Sequence, residues 1–311
     1  MSKEHNTRDR QLNRRAVLKT GVMAAGAAAL TSLGACGALQ TPAAGKTKPT
    51  KNMQLSLCAY SMRDALTKGE MDLFGFIDWC AELDLPGTEL TSYYFREDIN
   101  KSYLHQLKHH AFKNGVTVSG TAVGNKFCLP PCPERDKEIE KVKKWIDYAA
   151  EFGAPNIRIF AGEVPEGTDK DKVIIWVADA IKSTLDYAAE RGVVLGLENH
   201  GGITSRAVDL LAICDAVGNH PWFGINMDTG NFRTDAYEEL AIIAPRAVNV
   251  HIKVEIVQND GKKVLADLAR LRDILVAVNY KGWIALEYEA EADPRTAIPQ
   301  HMKQLRELFL G

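Results

Sequence analysis

The sequence predicts an α/β fold, a (β/α)8 TIM barrel formed as one domain by residues 53–311. Three observations predict it. Short β-type runs alternate with longer amphipathic segments eight times in about 260 residues, the usual size of such a barrel. The first run leads into Ala59-Tyr60-Ser61-Met62-Arg63, without the glycine-rich phosphate turn that an open doubly wound sheet often carries there. In the second half, four apolar runs each end on a residue able to bind a metal: 193–197 before Glu198, 223–227 before Asp228, 247–250 before His251 and 283–286 before Glu287.

Taken in order, the strands are expected at 54–60, 87–91, 116–123, 156–161, 193–198, 222–228, 247–254 and 283–288. The amphipathic segments between them predict helices over 72–83, 101–114, 133–152, 170–191, 205–217, 237–244 and 262–278, and a last one over 296–310 closes the chain. Several helices stop on the expected signal: Asn114-Gly115, Phe152-Gly153, Arg191-Gly192 and Tyr280-Lys281-Gly282. No internal repeat shows beyond the βα alternation.

Of the 311 residues, 46% are hydrophobic and 25% charged, as in ordinary globular domains, and the net charge of −2 gives no basic footprint for nucleic acid. Six cysteines are too sparse for a disulfide framework in a chain this long. Cys128-Leu129-Pro130-Pro131-Cys132 reads either as a disulfide loop or as two thiols in a proline-stiffened loop. Residues 1–36 read as an address. Asn13-Arg14-Arg15-Ala16-Val17-Leu18-Lys19 resembles a twin-arginine export signal, a weakly hydrophobic stretch follows over 21–33, and Leu33-Gly34-Ala35-Cys36 resembles a lipobox. Cys36 is then the expected lipidation site and 37–52 a flexible linker. The implied location is the periplasm, free or as a lipoprotein, with membrane contact only through a lipid on Cys36. Nothing after residue 50 is apolar for long enough to span a bilayer. The oligomeric state stays open, a homo-oligomer included.

In a barrel of this type the chemistry sits at the C-terminal ends of the strands. Glu198, Asp228, His251 and Glu287 fall there on strands five to eight, at spacings of 30, 23 and 36 residues, about one strand–helix unit each. Each alone has an ordinary explanation. Asp228 can cap a turn, His251 can be a bonded core histidine, and the glutamates can pair with Lys253 or Arg158. Together and in phase they form a donor set for one divalent metal ion, Mn²⁺ first, with Mg²⁺, Co²⁺ and Zn²⁺ as alternatives. Three converging carboxylates also repel one another unless a cation answers them. Lys253 shares a strand face with His251, and His200 follows Glu198 by two residues. Arg158 shares a face with Asn156 and Phe160, while Glu89, Tyr60 and Tyr93 lie near the ends of strands one and two. His200, Lys253, Arg158, Glu89 and Tyr60 are the candidate substrate-binding residues.

Gly196-Leu197-Glu198-Asn199-His200, Asn226-Met227-Asp228-Thr229-Gly230-Asn231, Val250-His251-Ile252-Lys253 and Ala285-Leu286-Glu287 resemble the xylose-isomerase-like TIM-barrel superfamily. Within it they resemble the sugar phosphate isomerase/epimerase group, which includes ketose 3-epimerases and inosose dehydratases. The resemblance implies that Glu198, Asp228, His251 and Glu287 hold the metal and that Glu198 and Glu287 also serve as acid and base. The implied activity is isomerisation or epimerisation of a sugar, through proton removal next to its carbonyl and an enediolate. Twin-arginine export moves folded proteins, so metal can be loaded before export, and it favours a free sugar over a sugar phosphate. Asn231 stands where many ketose epimerases have a histidine, and no arginine closely follows His251. The product is thereby left open. The main alternative is cleavage of a 3-keto-glycoside by β-elimination from the same intermediate. Multi-zinc hydrolysis and a non-catalytic sugar-binding lipoprotein are the remaining readings.

Overall fold

The computed structural model describes residues 52–311. The expected export signal, lipobox with Cys36 and linker up to residue 51 lie outside the described residues. In chain order the strands are β1 (Gln54–Cys58), β2 (Gly87–Thr91), β3 (Thr117–Ala122), β4 (Asn156–Ile159), β5 (Val194–Glu198), β6 (Phe223–Asp228), β7 (Ala247–Ile252), a hairpin of β8 (Glu255–Val257) and β9 (Lys263–Leu265), and β10 (Trp283–Leu286). All but the hairpin form a closed parallel barrel, with β10 returning to β1 through Gln54 opposite Trp283. The helices are α1 (Arg63–Thr67), α2 (Leu73–Glu82), α3 (Lys101–Lys113), α4 (Pro133–Phe152), α5 (Lys170–Glu190), α6 (Ala207–Val217), α7 (Ala236–Ile243), α8 (Leu268–Ala277) and α9 (Pro294–Phe309). The expected (β/α)8 barrel is the fold. No described helix is long and apolar enough to cross a membrane.

Alternation along the strands makes the two layers. Leu195, Leu197, Ile225, Met227, Val250, Ile252, Ile284 and Leu286 belong to the buried apolar core. Their neighbours Glu198, Asn226, Asn249 and His251 are buried as well, but are linked through Asn226 by hydrogen bonds inside the barrel, with Asp228 buried beside them. Side-chain caps start the helices where the chain must turn back: Asp72, Asn100, Asp169, Asp267 and Asp293 each accept from a first-turn amide. Gly153 ends α4 in the left-handed region at φ 89°.

The boundaries differ from expectation in three informative places. The first strand stops at Cys58 and turns through a 3-10 segment, Ala59–Met62, which carries Tyr60 onto the rim. The expected helix over 262–278 divides: residues 263–265 pair with 255–257 around a turn at Gly261, and the helix begins only after the Asp267 cap. Between α8 and β10, Asn279 takes the left-handed conformation at φ 54° that Gly282 was expected to supply. The disulfide alternative for Cys128 and Cys132 is not realised, and both are thiols. Cys128 is buried, whereas Cys132 precedes the first turn of α4.

Toward the bottom of the barrel, glycines let the Val248 side chain in. A Cβ on Gly196 would lie 3.4 Å from Val248 Cγ2, and one on Gly224 would overlap Val248 Cγ1 and stand 2.8 Å from the Arg246 carbonyl oxygen. Backbone cannot yield cheaply there. Gly224→Ala is therefore expected to destabilise the barrel by about 1–3 kcal/mol, read as a lower urea midpoint at unchanged m-value.

Candidate active site

The four expected ligands do converge. Asp228 stands opposite His251 across the β6–β7 ladder, and Glu198 is one step lower, opposite Asn226. One donor atom from each of Glu198, Asp228 and His251 lies within 4.8 Å of the other two. Glu287 comes just past the end of β10, its amide bonded to the Ile252 carbonyl, and its carboxylate is 3.4 Å from His251 Nδ1. All four side chains are buried.

Each is held by neighbours that fix its direction. Asn199 brackets Asp228, accepting from its amide at 2.9 Å and donating to its carbonyl at 2.8 Å. Asp228 Oδ1 accepts from the Gly230 amide, so the turn role foreseen for it is also real. Its buried Oδ2 accepts no hydrogen bond, and the Lys253 ammonium stands 3.4 Å from it. Glu198 accepts from Asn231 at 3.1 Å and from Asn226 at 3.3 Å, and Arg158 Nε stands 3.0 Å away. His251 Nε2 lies 2.9 and 3.1 Å from the two carboxylate oxygens of Glu89. A carboxylate accepts, so the proton belongs on Nε2, and Nδ1 is the nitrogen turned toward Glu198 and Glu287.

Two cations of the chain answer part of the negative charge. Arg158 offsets Glu198, and the Lys253 ammonium lies 2.9 Å from Glu287, 3.4 Å from Asp228 and 2.5 Å from Glu289. Burial acts to lower the Lys253 pKa, but Asp228, Glu287 and Glu289 outweigh it and hold the group charged. Burial likewise acts to raise Glu287, and Lys253 with His251 overcomes it and holds the carboxyl well below its usual range. Asp228 goes the other way. Burial, reinforced by Glu198 and Glu287 against Lys253 and His251, pushes it up to about 8. A buried carboxylate oxygen that accepts no hydrogen bond and has only an ammonium at 3.4 Å, close to further carboxylates and an imidazole, fits a divalent cation. Glu198, Asp228, His251 and Glu287 would hold it.

A polar cavity of about 220 Å³ opens above these groups, lined by Tyr60, Tyr93, Arg158, Phe160, Glu198 and His200 and, on the far side, by Asn231, Lys253, Glu287 and Glu289. Of the expected substrate-binding residues, Tyr60, Arg158, His200 and Lys253 reach it. Glu89 does not. It is fully buried and bonded to His251, Asn249 and Cys58 beneath the ligands, because its position on β2 turns it inward below the rim. Its place is as a support for His251. Burial sets His200 below its ordinary pKa, with Arg158 acting in the same sense and Glu198 against. Its ring packs on Phe160 at 4.0 Å between centroids, and Arg158 covers the other ring at 3.8 Å.

Sequence reasoning missed Glu289, Cys58 and the Asn226–Asn249 pair. The period-two signal that singled out Lys253 from His251 would have found Glu289 from Glu287 and Asn226 from Asp228. Cys58 is different, since only closure of the barrel brings it within 3.6 Å of Glu287.

A family model described as the xylose isomerase-like TIM barrel matches residues 77–308. No curated protein matches the chain in sequence. Among solved structures it is similar to a D-psicose 3-epimerase determined in the presence of D-fructose, with TM-score 0.68 and 15% identity over 83% of this chain and 100% of that one. It is similar to a xylose isomerase domain protein from Planctomyces limnophilus, with TM-score 0.64 and 18% identity over 84% and 99%. It is also similar to a 3-keto-D-glucoside 4-epimerase from E. coli, with TM-score 0.62 and 16% identity over 83% and 100%. At these identities the likeness is one of fold.

Proposed function

The chain belongs to the xylose isomerase-like TIM barrel family, and from the geometry of its site we propose a divalent-metal-dependent isomerase or epimerase that removes a proton next to a sugar carbonyl. The observation that carries the proposal is that Glu198 and Glu287, from separate strands, line one cavity directly above the donor atoms of Asp228 and His251. Two carboxylates let one side chain take the proton off carbon while the other returns one. When bound, the cation supplies Lewis-acid polarisation of the ketone and a neighbouring hydroxyl.

The residues divide the remaining work. One glutamate takes the proton from the carbon beside the carbonyl, leaving an enediolate, and the other delivers a proton. Arg158 and Lys253, both charged at the wall of the cavity, bind sugar oxygens and keep the two carboxylates apart electrostatically. Tyr60 and Tyr93, in edge contact at 6.4 Å, form an aromatic part of the wall for the sugar to pack against. With the export signal and lipobox expected over residues 1–36, the proposal places the reaction outside the cytoplasm on an unphosphorylated sugar. The structural neighbours crystallised as sugar epimerases support the reading. A multi-zinc hydrolase draws no support from His105 and His110, which pair with Glu151 and Asp78 on the helical layer.

A second reading rests on Lys253. An ammonium 2.9 Å from Glu287 at the wall can protonate a leaving oxygen. In a 3-keto-glycoside, loss of the C2 proton would form a C1–C2 double bond as the C1–O bond breaks, and the departing oxygen would take a proton from the ammonium. Product NMR in D₂O with a panel of ketoses and 3-keto-glycosides decides between them. Epimerisation or isomerisation incorporates deuterium with any glycosidic bond intact, and elimination releases the aglycone. Neither product from any sugar would remove both readings.

A further inference from the structure

Beside the polar cavity lies a second one of about 360 Å³, formed by the segments that follow β3, β4 and β5. The two share Phe160 and His200, so those stacked rings are a common wall. Their linings differ in kind. The first is faced by Arg158, Glu198, Lys253, Glu287 and Glu289, whereas Leu129, Ala161, Pro165, Phe160 and Cys128 give the second a mostly apolar surface.

Two polar side chains of this annex, Asn125 and Thr204, are already engaged, and the His200 imidazole lies in the shared wall. Asn125 donates to the Phe160 carbonyl at 2.8 Å and accepts from its amide at 2.9 Å, which makes it a buttress of the wall. The Thr204 hydroxyl donates to the Gly201 carbonyl at 3.0 Å and accepts from the His200 amide at 3.0 Å. Lys126 and Glu163 stand exposed at the rim. Water in the annex therefore finds few partners, and an apolar group would displace it favourably.

We propose that this annex binds an apolar, preferably aromatic, substituent carried by the sugar whose ring occupies the polar cavity. The substrate class is then a glycoside or similarly substituted sugar, because a free monosaccharide seated at the carboxylates would leave the annex unused. This inference rests on the reading of the polar cavity as a sugar site. A drug-sized ligand pocket is commonly about 300–1,000 Å³, and the polar cavity alone falls short of that while the two together fall within it.

The test is calorimetric titration of the full chain, with Mn²⁺ added, against methyl β-D-glucoside and phenyl β-D-glucoside. Neither has a carbonyl, so neither reacts. The phenyl compound is expected to bind at least about tenfold more tightly, from burial of the ring. Leu129→Asp, which brings a carboxylate to the annex from a half-buried loop position, is expected to abolish the preference without weakening the methyl compound. Leu129→Trp, which fills the space instead, should do the same, and an unchanged Tm in both variants excludes a folding defect. Equal affinities in the wild type, no measurable binding of the phenyl compound, or a preference that survives both substitutions would overturn the proposal. Deuterium exchange into D-fructose without a phenyl preference defeats the annex and leaves the isomerase reading standing. A Leu129-dependent preference with no exchange or cleavage on any sugar does the reverse.

Discussion

Glu287→Gln and Glu198→Gln are each expected to lower kcat by about 10²–10⁴ while the protein stays folded and still takes up metal. Glutamine keeps the shape and one ligand oxygen of the side chain but cannot carry the proton. Glu198 is held by Asn231, Asn226 and Arg158, and Glu287 by Lys253 and His251, so an isosteric amide keeps the volume of each side chain but loses an acceptor toward those groups. The readout that isolates the role is solvent deuterium in recovered substrate. If one glutamate removes the proton and the other returns it, each variant should lose a different half of the exchange. The base variant incorporates none, whereas the acid variant exchanges the substrate proton without completing the product. Wild-type rates in both variants would end the assignment of these residues as acid and base.

The second large effect falls on the metal. Asp228→Asn is expected to weaken Mn²⁺ binding by more than about 100-fold, because a buried anionic oxygen is replaced by a neutral amide. Glu89→Gln should have a smaller effect of about 10–100-fold, since it touches the ion only through the His251 ring it orients. Both are read by titration of the metal-stripped protein and by the rise in Tm on adding Mn²⁺, which the wild type should show and Asp228→Asn should lack. Unaltered binding in Asp228→Asn would remove the ligand assignment. Unaltered binding in Glu89→Gln alone would reduce Glu89 to a packing role.

Much of the fold was legible because its determinants are local. The alternation of β-type runs with amphipathic segments needs only periodicity, and it located each of the eight barrel strands to within a few residues. The hairpin after β7 was not legible. Lys263-Val264-Leu265 joins the following apolar positions in a helix-like pattern, and only pairing with 255–257 reveals the strand. The candidate donor set was legible for a related reason. A charged residue at the end of an otherwise apolar run is visible without knowing what it faces.

The roles around the ligands were less so. Repulsion among three carboxylates was the sequence argument for a metal, and the structure shows Arg158 and Lys253 already offsetting part of it. The cation argument therefore moves to narrower observations, the donor atoms of Glu198, Asp228 and His251 within 4.8 Å of one another and a buried Asp228 oxygen that accepts no hydrogen bond. Glu89 moved from the substrate wall to a place beneath His251, a contact between residues 162 positions apart.

By itself, then, the sequence determined the barrel, the order of its strands and the four donor residues at their ends, because strand phase and residue chemistry are properties of short segments. Only the tertiary structure decided which nitrogen of His251 turns to Glu198 and Glu287 and which to Glu89, which cations offset part of their charge, and that an apolar annex adjoins a charged cavity. Those depend on loops and strands distant in sequence meeting where the barrel closes, and no local pattern records such a meeting.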